Sequence, residues 1–253
     1  MRSDSRMAAA PLWSPGLRLH HAYGDSGCHI DGAWFSNHAL ELFHQHFEDA
    51  SAMTTHPVFH NPEFDAYAVD YDAALAQGLA VSGEDKMYFV RGRLAWLAAC
   101  LRKLGEQPTT VMDYGCGIGS TTPAFFEWLG VTSVVGTDIA PRALDVARRA
   151  YGSERTCFLL FDHYQPNASL DLVYCNGVFH HIPPQARAAA VAYVARALRP
   201  GGLWAFWENN PWNPGTRYVM HRIPFDRDAI PLTPPAARWL LQAGGFDSIL
   251  KFF

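Results

Sequence analysis

The chain lacks any apolar run approaching the ~20 residues that a membrane-spanning helix needs, and Met1 to Ala10 carry no hydrophobic core of a signal peptide. A cytoplasmic protein with no membrane partner is expected. Cysteine is scarce and unpaired in pattern: Cys28, Cys100, Cys116, Cys157 and Cys175 are an odd number with no C-x-x-C, so neither a disulfide framework nor a zinc ribbon is encoded. Cys116, Cys157 and Cys175 lie in or beside apolar runs and read as buried thiols. Charge of one sign is also missing. Twenty Lys and Arg against 24 Asp and Glu give a net charge of −4, and the signs alternate along the chain, which offers no electrostatic footprint for nucleic acid or an anionic membrane. Internal repeats and low-complexity tracts are absent too. A small-molecule substrate is expected.

What is present suits one α/β domain with an N-terminal addition: 253 residues, 49% of them hydrophobic, suffice for a large core. Residues 1–62 stand apart, because eight of the twelve histidines fall there among Gly, Pro and Ser. One helix is predicted within them, Ala33 to Asp49, with Phe35, Ala39, Leu42, Phe43 and His46 on a face that must cover the domain or a second copy of the chain. A homo-oligomer through this extension is therefore an open expectation. A metal site is not expected, since His44 and His46 point to different helix faces and no H-x-x-x-H pair accompanies a carboxylate.

Regular patterning starts at Glu63, and residues 63–253 are read as the main domain. A helix over Glu63 to Leu79 places Phe64, Tyr67 and Tyr71 on one face. Ser82-Gly83-Glu84-Asp85 reads as a capping box opening a second helix, whose Val90, Leu94, Leu97, Leu101 and Leu104 recur at steps of four and three before Gly105. Strands then alternate with helices: strand 109–114, helix 120–130, strand 132–137, helix 141–151, strands 156–160 and 170–175, helix 184–199 and strand 203–208. Such alternation predicts a doubly wound, mainly parallel, Rossmann-like sheet. Pro141 and Pro184 open helices, and Arg199-Pro200-Gly201-Gly202 ends one. A last helix (234–243) and a strand (246–252) complete the pattern.

The densest signal is Val111-Met112-Asp113-Tyr114-Gly115-Cys116-Gly117-Ile118-Gly119-Ser120, a buried strand running into a glycine turn and then a helix. Glycines at alternate positions let the backbone turn sharply and approach a ligand. A dinucleotide site spaces them G-x-G-x-x-G, and an Asp at position 113 repels a diphosphate while suiting an ammonium group. Ligands of parallel sheets bind beyond the carboxyl ends of the strands, where Asp113, Asp138, Asp162 and Asn176 fall. Asp138 is placed to accept from ribose hydroxyls and Asp162 from an exocyclic adenine amine.

Taken with Gly136-Thr137-Asp138-Ile139, the segment Asp171 to Ile182, and Leu198-Arg199-Pro200-Gly201-Gly202, this order resembles the class I S-adenosylmethionine-dependent methyltransferases over roughly residues 63–250. The resemblance implies S-adenosyl-L-methionine as cofactor and S-adenosyl-L-homocysteine as product. It implies that Gly115, Cys116 and Gly117 meet the methionine portion, Asp138 and Ile139 the ribose, and Asp162 the adenine. It also implies that Cys175, Asn176 and Phe179 sit near the reactive methyl, with Tyr71 covering the site. Family members close the sheet with an antiparallel pair of strands, whereas only the first is read here. The last of the usual seven strands is expected to be missing or replaced by another segment.

Methyl transfer from a sulfonium is an in-line displacement that needs positioning and exclusion of water. His180 and His181, just past strand four, are candidate general bases, against the alternative that they pack or cap the Ile182-Pro183-Pro184 turn. Beyond strand five, Glu208 to Pro214 reads as a loop lining an acceptor pocket, with Tyr67, Trp212, Arg217 and Arg222 as candidate substrate contacts. Asn210-Pro211-Trp212 resembles a signature of methyltransferases acting on base amines, but that signature follows strand four, so nucleic acid is not the expected substrate. The reading is a methyltransferase acting on a small organic acceptor such as a natural-product, saccharide or lipid intermediate. Three alternatives stay open: a non-methylating rearrangement or cyclisation on the same fold, a cofactor-binding assembly scaffold, and a nicotinamide oxidoreductase.

Overall fold

A computed structural model describes residues 71–252. The N-terminal segment 1–62, its predicted helix, Cys28, Tyr67 and the boundary at 62/63 lie outside the described residues, as does the Tyr71 side chain. Helix α1 (Tyr71–Leu79) is followed by α2 (Lys86–Leu104). Helix α2 begins later than a Ser82 cap would set it: Asp85 is the N-cap, its carboxylate accepting from the Tyr88 N–H at 2.7 Å. Ser82 instead ends a short 3-10 turn, its hydroxyl turned back to Leu79 O, so the four residues do not form a capping box.

Five strands then alternate with helices. They are β1 (Thr110–Tyr114), β2 (Ser133–Asp138), β3 (Thr156–Leu160), β4 (Leu170–Asn176) and β5 (Leu198–Trp207). The helices between them are α3 (Thr122–Leu129), α4 (Pro141–Tyr151) and α5 (Arg187–Ala197). The sheet order is β3-β2-β1-β4-β5 and every pairing is parallel. Arg199 to Gly202 form an irregularity inside β5, where the register against β4 jumps, rather than a loop ahead of it.

Alternation along each strand sorts the core into two layers. Val111, Leu172 and Tyr174 meet Leu94, Leu97 and Phe125 of α2 and α3 on one face. Met112, Val173, Cys175 and Trp204 meet Val191, Tyr193 and Val194 of α5 and Leu240 of α7 (Pro234–Ala243) on the other. Cys175 is buried as expected, Cys116 is half-buried, and Cys157 is exposed because β3 is the sheet's outermost strand on that side.

No strand runs through 246–252. Phe246 packs its ring 5.0 Å from that of Trp204, and Ser248 to Phe252 follow the rim of the cavity described below instead of pairing with β5. Among the described residues the sheet therefore has five strands, and no helix is long and apolar enough to cross a membrane.

The amino ends of the central strands are tied by one carboxylate. Asp171 Oδ2 accepts from the Thr109 and Thr110 N–H groups at 2.8 and 3.0 Å, and Oδ1 accepts from Arg199 Nε at 2.6 Å. These donors outweigh burial and hold the Asp171 carboxyl well below the usual range. A depressed folded-state pKa contributes stability above the unfolded value near 3.8 and loses it as pH falls further. Asp171→Ala is expected to cost about 2–3 kcal/mol at pH 7 in urea denaturation. The cost should shrink progressively below about pH 4. A pH-independent cost would contradict this assignment.

Candidate active site

In this sheet the order reverses beside β1, so the carboxyl ends of β1, β2 and β4 open into one crevice. A cavity of about 1290 Å³ occupies it. That exceeds the roughly 300–1,000 Å³ of a typical single-ligand pocket and leaves room for two small molecules side by side.

One end is built by the turn after β1. Gly115 has φ +74°, and a Cβ there would meet Val178 Cγ2 at 2.4 Å, so this glycine serves close packing of the turn against the segment after β4. Gly117 has φ +53° and open space where a Cβ would stand, so it is the glycine that keeps the cavity wall bare. Its N–H donates to Asp138 Oδ2 at 2.8 Å, and Oδ1 accepts from the Ala140 N–H at 2.9 Å, which fixes the Asp138 carboxylate at the end of β2. Asp113 is 4% exposed. Burial, with the Asp138 charge adding to it, pushes the Asp113 carboxyl up to about 8. Burial and the same two carboxylates raise the Cys116 thiol well above its usual value, so it stays protonated.

Asp113, Gly115, Cys116, Gly117, Asp138, Ile139 and Asn176 all line the cavity. Other expected residues do not. Asp162 is exposed, turned out with the 3-10 turn Phe161–His163, and its neighbour Phe161 lines the wall instead. Cys175 and Phe179 are fully buried in the core layer beneath, Phe179 packing on Tyr114, Trp204 and Phe206. For Cys175 the reason is strand parity: it and Asn176 are consecutive along β4, so the two point to opposite faces.

The cavity lining also includes the histidines. His180 and His181 lie in the 3-10 turn Phe179–His181 and both line the cavity. Two residues not singled out in the sequence complete the cluster, Glu208 at the end of β5 and Asp226 in the 3-10 turn Pro224–Asp226. Glu208 Oε2 is 2.7 Å from His180 Nδ1, and Oε1 accepts from the Val178 and Phe179 N–H groups at 2.9 and 2.6 Å. Asp226 Oδ1 lies 3.4 Å from His180 Nε2 and 3.2 Å from His181 Nε2. Burial opposes charge on His180, but the Glu208 and Asp226 carboxylates prevail and raise it to about 9, while burial lowers His181. The turn is pinned from behind, where Arg187 Nε donates to Ile182 O and the Ile230 N–H donates to His180 O.

Trp212, Arg217 and Arg222 are exposed and do not line the cavity. Glu208 to Asn213 form a loop, with Glu208, Asn209 and Asn210 lining the cavity, but Arg217 and Arg222 belong to the helix that follows it, α6 (Pro214–Arg222), N-capped by Asn213, whose carboxamide accepts from the Gly215 and Thr216 N–H groups. Helical spacing turns Thr216, Val219, Met220 and Ile223 to the cavity and sends Arg217 and Arg222 to solvent, where Arg222 donates to the Tyr218 hydroxyl.

The family model described as a methyltransferase domain matches residues 111–202, from β1 into β5. That segment is similar to methyltransferase domains. Trans-aconitate 2-methyltransferase of Azoarcus sp. (strain BH72) is 29% identical to this chain over 119 residues, covering 47% of the chain and 46% of the relative. Ribosomal protein L11 methyltransferase of Cupriavidus metallidurans is 32% identical over 151 residues, covering 58% and 44%. The chain thus spans about half the length of the curated relatives it matches. In a Haloferax volcanii complex of the Trm112 methyltransferase activator with a methyltransferase, one chain is similar in fold, with a TM-score of 0.53, 21% identity, and coverage of 74% of this chain and 77% of that one. The glycine turn and Asp138 fall within the matched segment, whereas Glu208 and Asp226 lie beyond it.

Glu208 closes the site from β5, and its loss strands two backbone donors and the His180 ring in a buried setting. Glu208→Ala is expected to destabilise by about 3–5 kcal/mol in denaturant titration, while Glu208→Gln, which keeps an acceptor, costs clearly less. Equal, small costs for both would show that the carboxylate does not tie the turn.

Proposed function

We propose that this chain transfers a methyl group from S-adenosyl-L-methionine to a small organic acceptor. The observation that carries the reading is a single cavity joining the Asp113–Asp138 end to the His180–His181 end, with room for two molecules. The residues present fit the cofactor: Asp113 is a buried acidic group of the cavity lining suited to an ammonium, Asp138 is a carboxylate fixed at the end of β2 where ribose hydroxyls can donate to it, and Gly117 leaves the wall bare. Ile139 and Phe161 offer apolar surface for the adenine. When bound, the cofactor supplies an electrophilic methyl. The chain's own part is to hold the acceptor in line, to exclude water with Val219, Met220 and Ile223 of α6, and to keep His181 ready at the acceptor end.

Natural-product, saccharide or lipid intermediates remain the proposed acceptor class. The relatives named trans-aconitate 2-methyltransferase, together with Arg91 and Arg93 on the α2 side of the cavity, favour an acceptor bearing a carboxylate. Incubation with S-adenosyl-L-methionine and a panel of small acids and alcohols, trans-aconitate among them, should release S-adenosyl-L-homocysteine and yield a product one methyl heavier. Consumption of acceptor without that release would overturn the reading.

The buried Asp113 makes cofactor binding pH-dependent. Its raised folded-state value means that the ligand-free fold keeps a proton which the unfolded chain gives up near 3.8, so this contribution to stability is lost as pH rises towards about 8. An ammonium beside it reverses the preference, so binding must expel the proton. Calorimetry with S-adenosyl-L-homocysteine at pH 6–7 in buffers of different ionisation enthalpy should show release of up to about one proton, with affinity rising up to about tenfold per pH unit. Asp113→Asn should abolish both the release and the slope. Their persistence in the variant would remove Asp113 from the site.

A further inference from the structure

We propose that His180, His181 and Asp226 form a binding site for one divalent first-row transition ion at the acceptor end of the cavity. Three observations converge. His180, His181 and Asp226 each offer a ligand atom within 4.8 Å of the other two, and all three residues line the cavity. Asp226 Oδ1 stands 3.4 and 3.2 Å from the two nitrogens. Ligand atoms held about 2.0–2.2 Å from a tetrahedral ion stand roughly 3.3–3.6 Å apart, and the two Asp226 distances fall within or just below that range.

The second observation separates an ion site from an ordinary ion pair. His180 is 3% exposed, yet its Nε2 makes no hydrogen bond although a carboxylate oxygen stands 3.4 Å away. Its contact with Asp226 is within ion-pair distance but outside hydrogen-bond geometry. A buried imidazole nitrogen lacking a well-formed hydrogen bond is under-satisfied, and an ion bound between it and the carboxylate removes that cost.

Third, the other face of the His180 ring is already arranged as metal sites require. Nδ1 meets Glu208 Oε2 at 2.7 Å, so Glu208 fixes the tautomer that frees Nε2 as a ligand and makes that nitrogen more basic. Two imidazoles and one carboxylate leave at least one coordination position open, and here it faces the cavity, so the site takes an anionic oxygen of the bound acceptor as its further ligand. That last role rests on the proposed methyl transfer; ion binding itself does not. The histidines read as unsuited to metal from their spacing, His44 and His46, belong to a different part of the chain.

The test uses the full chain, stripped with chelator and titrated with zinc by calorimetry and elemental analysis, then with cobalt for its visible absorption. So that any zinc held by the eight histidines of residues 1–62 cancels, the readout is the difference between wild type and variants. Asp226→Asn and His181→Gln should each lose one equivalent of tightly held zinc and the cobalt band. Glu208→Gln should keep the stoichiometry and weaken affinity about 10–100-fold. Binding of S-adenosyl-L-homocysteine, measured alongside, reports that each variant is folded. Equal zinc stoichiometry in wild type and in either folded variant overturns the proposal, as does wild type that takes up no tightly bound zinc. Wild type that binds zinc but not S-adenosyl-L-homocysteine keeps the ion site and overturns the cofactor reading instead.

Discussion

Much of the crevice depends on the reach of one side chain from the last strand to the turn after the fourth. Glu208 collects the Val178 and Phe179 N–H groups and the His180 ring, and thereby joins the end of β5 to the segment that leaves β4. A parallel sheet exposes its loops at the carboxyl edge and offers them no hydrogen bonds from the ladder, so such a loop needs a side chain to satisfy it. A carboxylate suits the task because it accepts several bonds at once, and bonds to a charged acceptor are roughly twice as strong as neutral ones. Val178, held in this way, fills the space that Gly115 leaves by having no Cβ. The two ends of the cavity are therefore mechanically connected through a turn of only a few residues.

Opposite electrostatic logic governs the two ends. At the glycine turn, burial, with the Asp138 charge adding to it, makes Asp113 hold its proton. At the histidine turn, carboxylates and imidazoles alternate, and charge is favoured on His180. The first end calls for a cation from outside; the second is neutralised largely from within. Such a division suits a pocket that must draw in a ligand at one end and orient another at the far end without competing for the same charge.

The fold was legible because its signals are local. Strand alternation, proline at helix starts and the glycine turn fixed the five strands and most helix limits, and α4 begins and ends at the residues expected. Asp113 and Asp138 were legible because the end of a strand is a position that sequence marks. Errors arose wherever the answer depended on phase or on distant partners. Cys175 and Phe179 lie on the core side of β4 and its following turn, a one-residue question of parity. Arg217 and Arg222 were read as loop residues, and the Asn213 cap, which makes the segment helical and turns them to solvent, is an Asn-Pro pair that was attributed to the loop. Asp226 carried no local mark, since its partners belong to a turn far earlier in the chain and only the folded sheet brings them together.

The C-terminal stretch shows how packing outvotes pattern. Phe246, Ile249 and Leu250 have the apolar character of a strand, and the neighbouring edge of β5 would accept one. Gly244 and Gly245 break the approach after α7, and Phe246 is drawn under Trp204, where an aromatic contact in the core outweighs hydrogen bonds that water supplies equally well. Past that anchor the chain runs along the cavity rim, bringing Ser248 to Phe252 to the wall opposite the glycine turn. A segment that paired as a sixth strand would leave that wall open, so the loss of regular pairing is coupled to the enclosure of the site.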